Sequence, residues 1–454
     1  MGFKVIIVGG GPGGLGLAHC LSKAGIDYVI LERSDNAIGT DGASLALWPH
    51  NGRIMDQLGL LEGAQKIDCN IKYKQNLRHD GSILQKNNMM EAIGQRLGHE
   101  WMCFQRHDFL RFLYESLSDE DRESRVLTDK AVEVIETTAD GVQVTCKDGS
   151  VYEGSMLVGA DGVNSAVRKD LATKLSDEKL AEPFTTSYRA LYGRSTWRKG
   201  IADHTVYEMH GDGITIQTIP GKTVMFLLYQ RLPTPVKGGV RYTKEETEAF
   251  AKEVAHIHVT PDVTFGDLWS ETEWTFASGL EEGVAETWYG DRVVLIGDTV
   301  HKMTPNIGLG LNSGWQSAVV LTNGLRRLLQ KDPEPSTQAL NSIFREYQGR
   351  RKKDATDMVE VSGLYTRVVA WNNPVWKFVD QHVTKLIGGD CKLMDFLMIP
   401  MVKKGLTLDF LNEPNFKTGT TAWSRGRTVV PDDVEALKGS AIKVADVEVA
   451  AYSE

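Results

Sequence analysis

Three glycines and one acid near the start of the chain have the spacing of a phosphate-binding turn. Gly9, Gly11 and Gly14 fit the pattern G-x-G-x-x-G, and Glu32 follows about 20 positions later. The first glycine permits a tight turn, the second admits a pyrophosphate, and the third allows a helix to pack on a strand. The acid binds ribose hydroxyls. These residues, with Pro12, Gly13 and Arg33 beside them, predict an adenine dinucleotide site.

The flanking segments have the order needed to position this turn. An apolar run over 3–8 predicts a strand, 15–24 predicts a helix, and 28–31 predicts a second strand. The helix N-terminus then presents free N–H groups and a positive dipole end to the phosphates. The alternative is a glycine-rich turn in an ordinary α/β protein. Such a turn does not require a strand before it, a helix and a second strand after it, and an acid at the end.

Two later segments also place an acid and a glycine after an apolar strand. Asp161-Gly162 follows the run 156–159, and Gly297-Asp298 follows 292–296. The carboxylates are candidates for cofactor hydroxyls, and Gly162 permits close approach. After the second pair, the loop predicted to face a flavin ring contains Pro305, Gly308, Leu309, Gly310, Leu311 and Asn312. The alternatives are an ordinary Asp-Gly turn and a capping loop without cofactor.

Composition restricts the class of protein. The 454 residues carry a formal net charge of −9, which disfavours a general nucleic-acid-binding role. The five cysteines include no C-x-x-C pair and suit a reducing compartment. No His, Asp or Glu spacing predicts a metal site.

The sequence predicts a cytoplasmic protein. The first strand begins at Phe3, which leaves no room for a signal peptide. No apolar run reaches the length of about 18 residues that spans a bilayer. Peripheral contact with an intracellular membrane stays open, and so does the oligomeric state.

Changes of pattern divide the chain into four parts. Residues 1–183 and 286–352 are assigned to a discontinuous, Rossmann-like dinucleotide-binding domain of α/β class. Residues 184–285, rich in aromatic β segments, form an inserted β-sheet substrate domain. Residues 353–425 are expected to be a C-terminal helical region. The tail 426–454 lacks periodicity.

Together the three motifs resemble a family. Their order and spacing are similar to those of single-component (class A) flavin monooxygenases with the para-hydroxybenzoate hydroxylase fold. Shorter strings, including 188–193 and 408–411, resemble the fungal paxilline-type epoxidases of terpenoid and indole secondary metabolism. Two departures are Leu309, where the family commonly has Gln, and Ser317 in a segment that lacks the usual Asp.

The resemblance implies a mechanism and further cofactor contacts. NADPH or NADH reduces FAD, O2 adds at flavin C4a, and the hydroperoxide delivers one oxygen atom to the substrate. Gly42, Ala43 and Arg106 are implied in FAD binding, Arg106 near the pyrophosphate by charge-assisted pairing.

Candidate residues for the substrate site are less well defined. Arg189 lies mid-strand in an apolar setting, which is costly without a partner, and Asp41 is the proposed partner. We expect this pair to shape the product, with a structural salt bridge as the alternative. Five residues are expected to line an apolar pocket: Trp48, Tyr192, Tyr207, Met225 and Phe226.

These observations predict an FAD- and NAD(P)H-dependent monooxygenase. It would epoxidise or hydroxylate a hydrophobic terpenoid, prenylated or indole-type metabolite. A phenol hydroxylase is the second enzyme interpretation, since one fold serves both reactions. A prenyl-binding chaperone on the same scaffold is the non-enzymatic alternative.

Overall fold

A parallel sheet forms the centre of the first domain. The computed structural model describes residues 2–39, 42 and 44–430. All neighbouring strands of this sheet are parallel except the first pair. Its strands, in spatial order, are Tyr289–Gly290, Val293–Leu295, Met156–Gly159, Lys4–Val8, Asp27–Leu31 and Val126–Leu127. Apart from Lys4 at its start, the two central strands Lys4–Val8 and Met156–Gly159 carry no polar side chain, because helices cover both faces. The predicted α/β class is confirmed.

Two long helices pack closely against each other beside this sheet. Pro12–Ala24 starts at the glycine turn, and Gly310–Leu329 follows the third motif. The Trp315 indole N–H donates to Pro12 O at 2.9 Å. A Cβ at Gly16 would lie 2.4 Å from the indole nitrogen, so the crossing requires glycine there.

Shorter elements complete this domain. The helices are Pro49–Leu58, Leu61–Ile67, Met89–Leu97, Arg106–Glu115, Asp119–Ser124, Ala166–Leu175 and Glu178–Ala181. Strands Ser44–Leu47 and Met102–Gln105 pair antiparallel. Three further strands, Val132–Thr137, Val142–Cys146 and Val151–Gly154, form an antiparallel meander.

An eight-stranded sheet forms the second layer. Its strands, in spatial order, are His301–Lys302, Thr272–Val284, Thr185–Ser195, Val224–Lys237, Ile214–Pro220, Thr205–Gly211, Tyr73–Arg78 and Ile83–Asn87. Five of the eight belong to the predicted insertion 184–285, the last two come from earlier in the chain, and His301–Lys302 comes from after it. Tyr73–Arg78 joins Thr205–Gly211 in parallel register, with Lys74 beside Val206. The domain borders themselves stay a prediction.

Both faces of this sheet are covered. The outer face packs on helices Lys244–Glu253 and Phe265–Trp269 and on the ribbon His258–Thr260 and Val263–Thr264. The inner face lies beneath the C-terminal helices. Strands such as Val224–Leu228 are therefore apolar at successive positions, because alternate side chains enter two different cores.

Helices dominate the end of the described chain. Thr337–Val369 is a single helix of 33 residues that crosses the predicted border at 352, and Ser336 caps it. Pro374–Phe378, a π-helical turn Val379–Val383, Thr384–Leu386, Gly389–Leu397 and Ile399–Val402 follow. Helices thus cover most of 353–402, whereas the described residues 403–430 form no helix, and the predicted border at 425 stays a prediction.

A buried ion pair attaches the last described segment to the first domain. Arg53 Nε donates to Glu413 Oε2 at 2.7 Å and Nη2 donates to Oε1 at 2.9 Å. Both side chains are fully buried. The guanidinium lies between the rings of Phe416 and Trp423, at 5.0 and 4.8 Å from their centroids. This pair fixes the segment after Val402 on helix Pro49–Leu58.

We expect Arg53→Met to destabilise the protein by about 3–5 kcal/mol, because Glu413 would remain charged and buried. Urea unfolding followed by circular dichroism measures this loss. The double variant Arg53→Met/Glu413→Leu should recover most of it. Arg327→Met is the control, because Arg327 forms a half-exposed pair with Asp409 and should cost less than about 1 kcal/mol. Equal losses for Arg53→Met and Arg327→Met would contradict the expected role of the buried pair.

Candidate active site

A cleft of about 830 Å³ opens at the carboxyl ends of the parallel strands. Ligands of open α/β sheets bind at this edge, where the strand order reverses. All three sequence motifs contribute to its wall. The lining includes Gly9–Gly13, Glu32, Arg33, Arg106, Asp161, Gly162, Gly297, Asp298, Gly310 and Leu311.

The glycine turn has the local geometry that the spacing predicted. Gly9 has φ +107°, and a Cβ there would lie 2.6 Å from Ala160 O. A Cβ on Gly14 would lie 2.0 Å from Gly9 O, so helix and strand touch at this position. A Cβ on Gly11 would meet no described atom within 4 Å. The space beside Gly11 is therefore open to a ligand.

Glu32 supports the glycine turn as well as lining the cleft. Its Oε2 accepts a hydrogen bond from Gly10 N at 2.7 Å, and Oε1 accepts from Ser34 N at 2.9 Å. The carboxylate thus fixes the two loops that flank it. Its contact with a ribose hydroxyl stays a prediction.

Asp161 has an unused oxygen in the cleft wall. Its Oδ2 accepts from Ala166 N at 2.7 Å and from Val167 N at 3.2 Å, at the start of a helix. Its Oδ1 is buried and accepts no hydrogen bond from the described residues. Burial raises the pKa of this carboxyl. A cofactor hydroxyl or a bridging water would satisfy Oδ1, so the residues fit a dinucleotide.

Arg168 joins the second motif to the third, a role that the sequence did not reveal. Its Nη2 donates to Val163 O at 2.7 Å and its Nη1 to Thr299 O at 2.9 Å. Thr299 Oγ1 in turn accepts from Gly162 N at 3.2 Å. The second and third motifs therefore form one unit, although 131 positions separate Arg168 from Thr299.

Two residues of the third motif support the site from behind. Leu309 is buried in a cluster with Trp48, and Asn312 is fully buried. Asn312 Oδ1 accepts from Trp48 N at 2.9 Å, while Nδ2 donates to Ala46 O and Gly308 O at 2.8 and 2.7 Å. Both side chains therefore turn into the core, and a contact of the loop backbone at these positions with a cofactor stays a prediction.

The loop around Arg106 is only partly described. Asp41 and Ala43 lie outside the described residues. Gly42 has φ +103°, and a Cβ on it would lie 2.3 Å from Arg106 Cδ. Arg106 and Arg33 both line the cleft, as does the predicted Gly297.

A second, largely apolar cavity of about 350 Å³ meets the cleft. The two share Leu45, Asp298, Gly310 and Leu311, so any flavin ring at this junction would face the cavity. Pro305 and Gly308 also line it. Apolar lining residues include Trp48, Met89, Met90, Trp101, Val206, Ile219, Leu227, Ile307, Met394 and Leu397. Trp48 is held there by its indole N–H, which donates to Ile307 O at 2.8 Å.

The structure overturns the catalytic role predicted for Arg189. Its side chain lies on the outer face of the second sheet, where Nε donates to Gln230 Oε1 at 2.7 Å and Nη2 to Glu253 Oε2 at 2.6 Å. Its guanidinium also stacks on the Phe250 ring at 3.8 Å. Arg189 therefore joins a helix to the sheet, which is the structural alternative.

Strand alternation corrects most of the predicted substrate contacts. Tyr207 and Phe226 belong to the outer core with Phe265, so the prediction that they line the pocket is wrong. Tyr192 and Met225 lie on the inner side, in the core with Tyr229, but not among the described lining residues. Trp48 alone of the five lines the cavity.

A buried cluster of charges in the cavity wall was missed by sequence reasoning. Lys74 Nζ lies 2.7 Å from Glu208 Oε2 and 3.1 Å from Asp390 Oδ2, and it donates to Tyr365 OH at 2.5 Å. Tyr365 donates to Glu208. Lys74, Tyr365 and Asp390 line the cavity.

His210 extends this cluster away from the cavity. Its Nδ1 lies 2.8 Å from Asp380 Oδ2, which also accepts from Trp371 Nε1 at 2.7 Å. Burial alone would lower the pKa of His210, but Asp380 and Glu208 raise it to about 9. Glu208 and His210 occupy alternate positions of one strand and so face the same side, the only sequence signal for this cluster.

The family model and the similar proteins point to the same family. A model described as FAD binding domain matches residues 2–362. The FAD-dependent monooxygenase srdH of Neurospora crassa is 33% identical over 447 residues, covering 94% of this chain and 99% of the relative. The FAD-dependent monooxygenase atmM of Aspergillus flavus is 32% identical over 438 residues, covering 93% and 90%.

Solved structures share the fold. Klebsiella pneumoniae HpxO, complexed with FAD and uric acid, aligns with a TM-score of 0.72 at 20% identity, covering 88% of this chain and 97% of that one. The 2,6-dihydroxypyridine-3-hydroxylase of Arthrobacter nicotinovorans aligns with a TM-score of 0.64 at 19% identity, covering 82% and 94%.

Because a Cβ on Gly11 meets no described atom, Gly11→Val should obstruct the cleft without straining the fold. We expect the purified variant to retain little FAD, measured by absorbance. Its unfolding free energy without cofactor should change by no more than about 1 kcal/mol, the cost of a poorer helix cap. Gly349→Val, on a helix away from the cleft, is the matched control and should keep its flavin. A fully yellow Gly11→Val protein would contradict the proposed position of the cofactor.

Proposed function

The chain belongs to the FAD binding domain family and is an FAD-dependent monooxygenase, and we propose that it oxygenates a hydrophobic metabolite at a carbon–carbon double bond. Terpenoid, prenylated and indole-type secondary metabolites are the proposed substrate class, and NADPH is the proposed reductant. The observation that supports this most is the apolar cavity that meets the cofactor cleft at Asp298, Gly310 and Leu311. The alternative of a non-enzymatic chaperone is set aside, since the family is one of enzymes.

Named residues would hold the cofactor along the cleft. Gly11 and the start of helix Pro12–Ala24 are placed for the pyrophosphate, with Arg106 as counter-charge. Glu32 and Asp161 are placed for hydroxyl groups. When bound, FAD supplies the chemistry of accepting electrons from a nicotinamide and activating O2.

Two features of the chain favour oxidation chemistry where the cofactor cleft meets the apolar cavity. The first-turn N–H groups of helix Gly310–Leu329 have no intrahelical acceptor and present a partial positive charge there. Developing negative charge on a reduced flavin ring would be stabilised by this helix end. The apolar side chains excluding water from the cavity protect reactive species from unproductive decay.

The lining favours a hydrophobic alkene over a charged aromatic acid. Apolar side chains dominate the cavity, and the charged side chains that line it are already paired, Lys74 with Asp390 and Lys302 with Asp298. A phenol carboxylate would require a free cation to offset its desolvation. Phenol hydroxylation is therefore the less favoured of the two proposed reactions.

We expect NADPH oxidation by the holoprotein to increase when a hydrophobic terpenoid or prenyl-indole alkene is added. The product should gain one oxygen atom by mass spectrometry, with the label coming from ¹⁸O₂. The Gly11→Val protein is the control for flavin dependence and should form no product. Loss of two hydrogens without a gain of oxygen, or turnover confined to phenols, would contradict the proposed reaction.

We also infer that the protein docks on an anionic membrane surface. Apolar side chains of the short C-terminal helices are exposed, including Val375 (65%), Phe378 (58%), Leu386 (86%) and Phe396 (72%). Exposed Lys385 and Lys392 lie among them and would contact acidic headgroups.

This apolar patch is continuous with the substrate cavity. Val379, Val383, Ile387 and Leu393 come from the same helices and line the cavity wall. No helix in the described part of the chain is long and apolar enough to cross a bilayer. The arrangement favours surface attachment by a partly buried apolar face, with transfer of lipophilic substrate into the cavity.

Phe396→Asp should weaken sedimentation of the protein with vesicles of phosphatidylcholine and phosphatidylserine, because a charge would enter the bilayer interface. Phe276→Asp is the matched control, since Phe276 is 51% exposed but lies on a strand of the second sheet. Equal binding of the two variants, or no binding by the unaltered protein, would contradict the docking proposal.

A further inference from the structure

An amide in the cavity wall has a donor without an acceptor. Asn306 is 8% exposed and lines the apolar cavity. Its Oδ1 accepts from Thr366 Oγ1 at 2.7 Å. Its Nδ2 is buried, and no described residue accepts a hydrogen bond from it. Leaving a buried amide unpaired is costly, so a missing partner is expected in the cavity.

Gln217 connects the main chain of Asn306 to the charged cluster. Its Nε2 donates to Asn306 O at 2.8 Å and to Glu208 Oε1 at 2.9 Å. Both amide hydrogens are thereby used, and the side chain is held in one orientation. Gln217 also lines the cavity. Its Oε1 accepts no hydrogen bond from the described residues and is left to accept from a group that enters the cavity.

Building on the proposed function, we propose that Asn306 and Gln217 form a subsite for a neutral oxygen function, a hydroxyl or carbonyl, of an otherwise hydrocarbon substrate. The ligand oxygen accepts from Asn306 Nδ2, and a hydroxyl additionally donates to Gln217 Oε1. Binding at this point fixes which double bond of the substrate lies against the flavin.

The charges behind the subsite exclude an anionic ligand group. Three carboxylates, Glu208, Asp380 and Asp390, surround two cations, Lys74 and His210. Each cation is paired with a carboxylate, and the third carboxylate leaves the cluster with a net negative charge. A carboxylate in the cavity would meet this excess after losing its water, whereas a neutral oxygen meets only the two amides.

The test measures ligand affinity in the oxidised holoprotein without NADPH. Trp48 and Trp101 line the cavity, so tryptophan fluorescence reports its occupancy. The probes are farnesol, the hydrocarbon of the same skeleton without the hydroxyl group, and the corresponding carboxylic acid. We expect farnesol to bind about tenfold tighter than either, the scale of one satisfied buried hydrogen bond.

Asn306→Leu should abolish the preference for farnesol while leaving the affinity for the hydrocarbon within about twofold. Val206→Ala is the matched control, because Val206 lines the same cavity and should weaken both ligands by the same factor. If Asn306→Leu fails to retain FAD, Asn306→Ala removes the Nδ2 donor without adding bulk or charge.

Equal affinity of the unaltered protein for farnesol and the hydrocarbon would overturn the subsite. So would a preference for farnesol that survives in the Asn306 variants. These affinities are independent of turnover. A protein that shows the expected preference but never forms an oxygenated product would contradict the proposed function alone.

Discussion

Burial of the Arg168 guanidinium between two loops is the interaction on which the cofactor cleft depends. It holds Val163 O and Thr299 O together, and with them the Asp161 and Asp298 segments. Parallel strands bring these loops to the same edge as the glycine turn. Each loop alone is an ordinary turn, and the site exists only because strands far apart in sequence are neighbours in the sheet.

The inner face of the second sheet combines two features that normally oppose each other, an apolar cavity wall and buried charged side chains. Lys74 and Glu208 come from parallel neighbouring strands, while Tyr365 and Asp390 come from the covering helices. The buried charges hold sheet and helices in one register, because separating any partner would leave an unpaired ion in a low-dielectric environment. The same contacts place polar atoms at defined points of an apolar cavity.

The sequence correctly predicted the parts of the site that local spacing determines. It failed for residues whose role depends on which face of the sheet their side chains occupy. Gly9 and Gly14 belong to one turn, and their spacing in the sequence was sufficient to predict its geometry. Arg189 and Phe226 lie on a strand pair buried on both sides, so period-2 alternation could not say which side meets the cavity. The pairing of Lys74 with Glu208 depends on a parallel register that no local pattern encodes.

A crystal structure of the FAD-loaded protein would test the central claim most directly. The isoalloxazine ring should lie where the cleft and the apolar cavity meet, beside Asp298, Gly310 and Leu311, with the pyrophosphate against Gly11. A ring bound elsewhere, or one separated from the apolar cavity by ordered side chains, would contradict the conclusion that separate chain segments converge on one flavin to oxidise a substrate in that cavity.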